Sequence, residues 1–281
     1  MIARISTLGF LLASGWVFPG ALQAANECFE DWICVRAAET DDYVDFYAEN
    51  LQPYAVTVSL RVSNTRNLAA PEGKTATKTV AGESRLSLLR LPKTTAGRGV
   101  RYRYVFDWAL GSLNPRHDDT YLYRLPYARG KTYGVLQGYG SKFSHTGLEE
   151  FTIDFNMQVG TPVYAAREGV VARVQESHNV GCWERGCGSY ANFVMILHSD
   201  GTTGEYFHLR QDGVLVERGD YIERGQLIAY SGNTGHTTMP HLHFGVYKAS
   251  SWGKTESLPI QFETADGVLT KPRAGRRYRV K

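Results

Sequence analysis

Hydrophobic and polar positions alternate along much of this chain with a period of two. Runs such as Tyr54-Ala55-Val56-Thr57-Val58-Ser59-Leu60-Arg61-Val62 and Arg101-Tyr102-Arg103-Tyr104-Val105-Phe106 are separated by turn-rich stretches, the pattern of strands with one face buried. The segment from Cys28 to about Tyr123 therefore reads as an all-β domain. Further strands are predicted over 162–166, 169–174, 192–198, 204–209, 226–230 and 241–247. Ser199-Asp200-Gly201 is a turn signal that folds its flanking strands into a hairpin. No long amphipathic helix and no internal repeat competes. Asn114-Pro115-Arg116-His117-Asp118-Asp119, then Pro126 and Gly130, mark a boundary near residue 125. The expected organisation is a targeting segment over 1–25, a β-rich accessory domain over 26–125, a second β domain over 126–270 and a basic tail over 271–281.

Composition adds constraints. With 281 residues, 43% hydrophobic and 21% charged, the chain has the balance of a soluble globular protein with a sizeable core. Arg4, the apolar run from Ile5 to Phe18, Pro19-Gly20 and small residues up to Ala25 read as an export signal. That run is shorter than the ~20 residues that span a bilayer, so no stable membrane anchor is expected, and the mature chain would be periplasmic or secreted. In that setting Cys28 with Cys34 and Cys182 with Cys187 can each close a short loop, although four cysteines permit three connectivities. A zinc knot of four thiolates is disfavoured, because neither spacing is the usual Cys-x2-Cys. The net charge of +3, without basic and aromatic interleaving, argues against nucleic acid. Lys271, Arg273, Arg276, Arg277, Arg279 and Lys281 crowd the C-terminal end; a solvated tail is the favoured reading over an anchor for anionic polymers.

The candidate chemistry lies in the second half. Along His241-Leu242-His243-Phe244-Gly245-Val246-Tyr247, alternation puts His241 and His243 on one face and Leu242, Phe244 and Val246 on the other. The same parity at Tyr206-Phe207-His208-Leu209 sends Phe207 and Leu209 to the core and gives His208 the face of Tyr206. Upstream, His145 and Asp154 adjoin turn or strand signals. With one downstream imidazole they would make a set of two histidines and one carboxylate suited to catalytic zinc, with a position left for water. His117, His178, His198 and His236 read as surface residues, and Trp183, in the Cys182–Cys187 loop, as packing at a cleft edge.

These residues resemble the lysostaphin and LytM family of zinc metallopeptidases. The resemblance is carried by the His-to-Asp segment, Gly160-Thr161-Pro162-Val163-Tyr164-Ala165-Ala166, Tyr206-Phe207-His208-Leu209, Gly219-Asp220, Gly225-Gln226, Ser231-Gly232-Asn233-Thr234-Gly235 and Pro240-His241-Leu242-His243-Phe244. It implies a mainly β fold: a β-sandwich-like accessory domain, then the antiparallel sheet of a lysostaphin-type metallopeptidase with its site in a groove. It further implies zinc on His145, Asp154 and His243, with His208 and His241 as catalytic partners and Tyr139 donating to a developing oxyanion. The eight residues between His145 and Asp154 exceed the family's usual spacing and are read as a loop insertion, leaving Glu149 and Glu150 as fallback ligands. The implied activity is hydrolysis of peptidoglycan stem peptides or cross-bridges. The alternative is a non-catalytic regulator of cell-wall amidases, a class that lacks parts of the ligand set retained here. The sequence is silent on oligomeric state.

Overall fold

The computed structural model describes residues 13–16, 27–69 and 73–281. Of the targeting segment expected over 1–25, only a short strand, Ala13–Trp16, lies within the described residues. The described elements are strands and two short 3-10 turns, Gly147–Glu149 and Cys187–Tyr190. The chain divides into two units, Met1–Leu113 with Ala249–Lys254, and Asn114–Lys248 with Thr255–Lys281.

The first unit holds two four-stranded antiparallel sheets. One is ordered Ala13–Trp16, Arg101–Leu110, Val56–Arg66, Lys74–Val80, the other Glu27–Phe29, Ile33–Glu39, Tyr43–Asn50, Arg85–Pro92. Val56, Val58, Leu60 and Val62 are fully buried, as the period-two pattern requires. The Phe46 ring meets Tyr102 and Tyr104 edge-on, and Tyr104 Oη donates to the Val35 carbonyl at 3.1 Å, so side chains of both sheets share one interior. Cys28 and Cys34 form a disulfide across the hairpin between Glu27–Phe29 and Ile33–Glu39.

The second unit is built on a larger antiparallel sheet. Its order is Tyr221–Ile222, Gly169–Gln175, Phe193–Leu197, Thr203–Phe207, Leu242–Ala249, Ile153–Phe155, Thr132–Gln137, Arg277–Arg279, with Thr255–Ser257 also pairing Leu242–Ala249. Ile153, Phe155, Val194, Ile196, Tyr206, Leu242, Phe244 and Val246 leave one face for the core. Asp154, His243, Gly245, Tyr247, Phe207, Glu205 and Thr203, alternating with them, take the other.

Two expectations change here. Tyr206 is fully buried in the core, so the parity assumed for His208 is reversed: Phe207 shares the face of His243. The alternation ends at His208, whose backbone is left-handed at φ 63°. The C-terminal segment joins the fold while its cations stay exposed: Arg277–Arg279 extends the sheet, and Tyr278 and Val280 turn toward the core between the cations. Lys281 and Arg224 hold the two oxygens of Glu263.

Candidate metal centre

Asp154 and His243 face each other directly across neighbouring antiparallel strands. That register brings His243 Nδ1 to 2.8 Å from Asp154 Oδ1. His145 enters from the loop before Gly147–Glu149, with Nε2 3.2 Å from the same oxygen. This is ion-pair distance without hydrogen-bond geometry, so neither nitrogen of the fully buried His145 ring has a hydrogen-bond partner. The three donor atoms lie within 4.8 Å of one another, close enough to hold a metal ion. Asp154 Oδ2 is taken by Gln137 Nε2 at 2.7 Å, leaving Oδ1 to the cluster. Gln137 also exchanges hydrogen bonds with Ser144, fixing the loop that carries His145.

His241 and His208 complete the group. His241 Nε2 is 3.7 Å from Asp154 Oδ1, and the His208 and His241 rings are 4.5 Å apart. Each donates from Nδ1 to a carbonyl, His208 to Thr234 at 2.7 Å and His241 to Met239 at 2.8 Å. A carbonyl only accepts, so the proton sits on Nδ1 and each Nε2 keeps its lone pair. The left-handed backbone at His208 turns its ring toward His241.

The electrostatics follow from burial and neighbours. Burial alone would raise the Asp154 carboxyl, yet His145, His243 and His241 hold it well below the usual carboxylate range. Burial, then His241 and His243, push His208 down to about 3. Burial also lowers His241. His243 is raised, because Asp154, Glu149 and Glu205 outweigh its burial.

The structure brings together His145, Asp154, His208, His241 and His243. It does not bring the Tyr139 hydroxyl to them: that oxygen is 3.3 Å from both the nitrogen and the carbonyl oxygen of Ile260, and its ring packs edge-on against Phe151. A different tyrosine reaches the site, Tyr247, whose Oη lies 3.1 Å from His243 Nε2 and donates to Glu149 Oε2 at 2.8 Å. Sequence reasoning passed over Tyr247 and Gln137; position on the His243 face was the available signal for the first, and Gln137 had none. Trp183, beside the Cys182–Cys187 disulfide, is stacked between Phe143 and His236 with 47% of its surface exposed. His117 and His198, expected at the surface, are instead largely buried, because Asp200 and the Glu168 carbonyl give their rings polar neighbours inside the fold.

Two imidazoles and a carboxylate close enough to hold a metal ion, with two further imidazoles beside them, make up the candidate metal centre. Residues 149–255 match the model of Peptidase family M23. The matched segment contains Asp154, His208, His241 and His243 and begins just after His145. Similar curated proteins include peptidoglycan DD-endopeptidase ShyA of Vibrio cholerae, 40% identical over 91 residues, which are 32% of this chain and 18% of that one. Lysostaphin of Staphylococcus simulans is 34% identical over 142 residues, 50% of this chain and 26% of that one. Glycyl-glycine endopeptidase ALE-1 of Staphylococcus capitis is 34% identical over 142 residues, 50% of this chain and 35% of that one. The chain thus covers well under half the length of these relatives.

Proposed function

We propose that this protein is an exported zinc metalloendopeptidase that hydrolyses peptide bonds of peptidoglycan, in stem peptides or cross-bridges. The observation that carries the reading is the convergence of His145 Nε2, Asp154 Oδ1 and His243 Nδ1 beside two imidazoles with free Nε2 lone pairs. The orphaned nitrogens of His145 fit a metal, since a buried imidazole without partners is costly unless an ion takes its lone pair. Soft-to-borderline nitrogen donors with one carboxylate suit zinc. Held by His145, Asp154 and His243, zinc would supply Lewis acidity toward the scissile carbonyl and lower the pKa of water enough for attack at neutral pH.

The chain's own residues supply the rest. Asp154 neutralises charge at the centre while Gln137 holds its other oxygen. His208 and His241, each locked in the Nδ1–H tautomer, present Nε2 to take a proton from the attacking water and return it to the leaving amine. The Tyr139 hydroxyl, engaged with Ile260, is assigned no part. Two disulfides support an oxidising compartment outside the cytoplasm. A complete donor set favours the enzyme over a regulator of amidases.

The test is mass spectrometry of muropeptides released from purified sacculi by the mature chain with zinc, using walls with direct and with glycine-containing cross-links. New peptide termini should appear, and vanish on chelation and in His243→Ala. Bound zinc with no cleavage of either wall type would replace this reading with the regulator.

A further inference from the structure

His243 is the ligand whose ring has both nitrogens committed. Nδ1 faces Asp154; Nε2, on the opposite side, is 3.1 Å from Tyr247 Oη. The phenol has one proton, and the Glu149 carboxylate, 2.8 Å from that oxygen and 3.8 Å from His243 Nε2 itself, can only accept. Tyr247 therefore donates to Glu149 and accepts from His243 Nε2–H; Nδ1 donates to Asp154 Oδ1 in the metal-free chain, and a metal would take the place of that proton while Nε2–H stays on Tyr247.

The contact requires two departures from ordinary strand geometry and sequence. Positions 243 and 247 lie on the same face of one strand, about 13 Å apart along its axis at ~3.3 Å per residue. The Tyr247 ring closes that gap by lying back over residue 245. A Cβ at Gly245 would stand 2.7 Å from Tyr247 Cε2 and 2.9 Å from Cζ, so glycine there is what opens the path. Glu149 comes from the long stretch between His145 and Asp154. This stretch folds as the turn Gly147–Glu149, tied by Thr152 Oγ1 to the Glu149 carbonyl at 2.7 Å and by the Phe151 N–H to Ser257 Oγ at 2.9 Å. The extra residues thus deliver a carboxylate to the back of the third ligand.

Resting on the zinc reading above, we infer that Tyr247, backed by Glu149 and admitted by Gly245, is a positioning residue that fixes the tautomer and orientation of His243 and so tightens its hold on the metal. A carboxylate bonded to the phenol and within ion-pair distance of the imidazole increases the donor strength of that ring, the usual effect of an outer partner on a metal ligand, whose removal costs about 10–100-fold in metal affinity.

The experiment measures zinc affinity of the purified chain by competition with a chromophoric chelator, and turnover of cross-linked muropeptide against added zinc. Tyr247→Phe keeps the ring and removes the hydroxyl; its zinc Kd should rise about 10–100-fold, and saturating zinc should restore kcat with KM for substrate unchanged. Because Tyr247 is buried, Glu149→Ala serves as the second variant: its side chain is 44% exposed, its loss spares the core, and it should weaken zinc in the same direction by less. A wild-type chain that binds no zinc would overturn the metal reading itself. Wild-type binding with unchanged Kd in both variants would overturn the role of Tyr247 and leave the metal reading standing.

Discussion

The second unit contains two buried clusters of histidine and carboxylate, and they are built for opposite ends. At the first, Asp154 Oδ1 is approached by nitrogens of His145, His241 and His243, with no lysine or arginine among its partners. At the second, Asp200 accepts from Arg167 Nη1 at 2.6 Å and from the Thr202 N–H and hydroxyl at 2.9 and 2.7 Å, with His117 Nδ1 3.7 Å away. A guanidinium is permanently charged and has no lone pair, so it neutralises Asp200 and occupies the place an ion would need. Among the described residues only the first cluster has metal-holding geometry. Burial lowers a histidine at each cluster, His208 to about 3 at the first and His198 to about 4 at the second. His243 is raised by Asp154, whereas burial first and Arg167 in addition push His198 down to about 4. What separates a metal centre from a structural ion pair in this fold is therefore the presence of a built-in cation.

The largest effect should come from the histidines that contribute lone pairs without being assigned as ligands. His208→Ala and His241→Ala should each lower kcat by about 10²–10⁴-fold, the range for removing a positioned general acid or base, with zinc still bound at full occupancy. Zinc content measured alongside turnover checks this: a variant that loses the metal together with activity would move that histidine into the ligand set. At the other cluster, Arg167→Met should leave turnover per folded molecule unchanged and destabilise the fold. Breaking a buried ion pair costs about 3–5 kcal/mol, and the lower end, about 3 kcal/mol, applies because Thr202 still donates twice to Asp200. Urea titration reads the loss. An undiminished midpoint would mean the pair contributes nothing and that the two clusters differ less than their geometry shows.

The contrast was only half visible in the sequence. Strict alternation through 241–247 placed His241 and His243 correctly, since Leu242, Phe244 and Val246 leave no other face for them. The hairpin at 199–201 was legible for the same reason: a turn signal flanked by apolar runs. The position of His208 was not, because one left-handed residue breaks the parity that a strand pattern assumes. Tyr139 and Tyr247 exchanged prominence because a hydroxyl's partner is a tertiary fact: Ile260 holds one, and the space over Gly245 admits the other. His198 read as a surface residue beside a turn, and nothing local reveals that Arg167 and the Glu168 carbonyl enclose it.

The smallest of these effects is read through pH, at the buried histidine beside Arg167. His198 is neutral in the fold, its Nδ1 2.7 Å from the Glu168 carbonyl oxygen and its Nε2 without a partner. Its pKa falls from 6.5 to about 4, so between those values the unfolded chain binds the proton that the folded chain refuses. Stability from this residue is complete above about pH 6.5 and is lost as the pH drops toward 4. The loss between pH 7 and 5 is about 2 kcal/mol, since each pH step of one below 6.5 removes about 1.4 kcal/mol. His208 and His241, also lowered, add losses of the same sign in the metal-free chain, so the informative quantity is the difference from His198→Gln, which can still donate to the Glu168 carbonyl without titrating. Metal-free wild type should lose about 2 kcal/mol more than this variant on going from pH 7 to pH 5 in matched urea titrations. Parallel losses in the two proteins would mean that His198 accepts its proton within the fold, and that burial with Arg167 beside it does not hold the ring neutral.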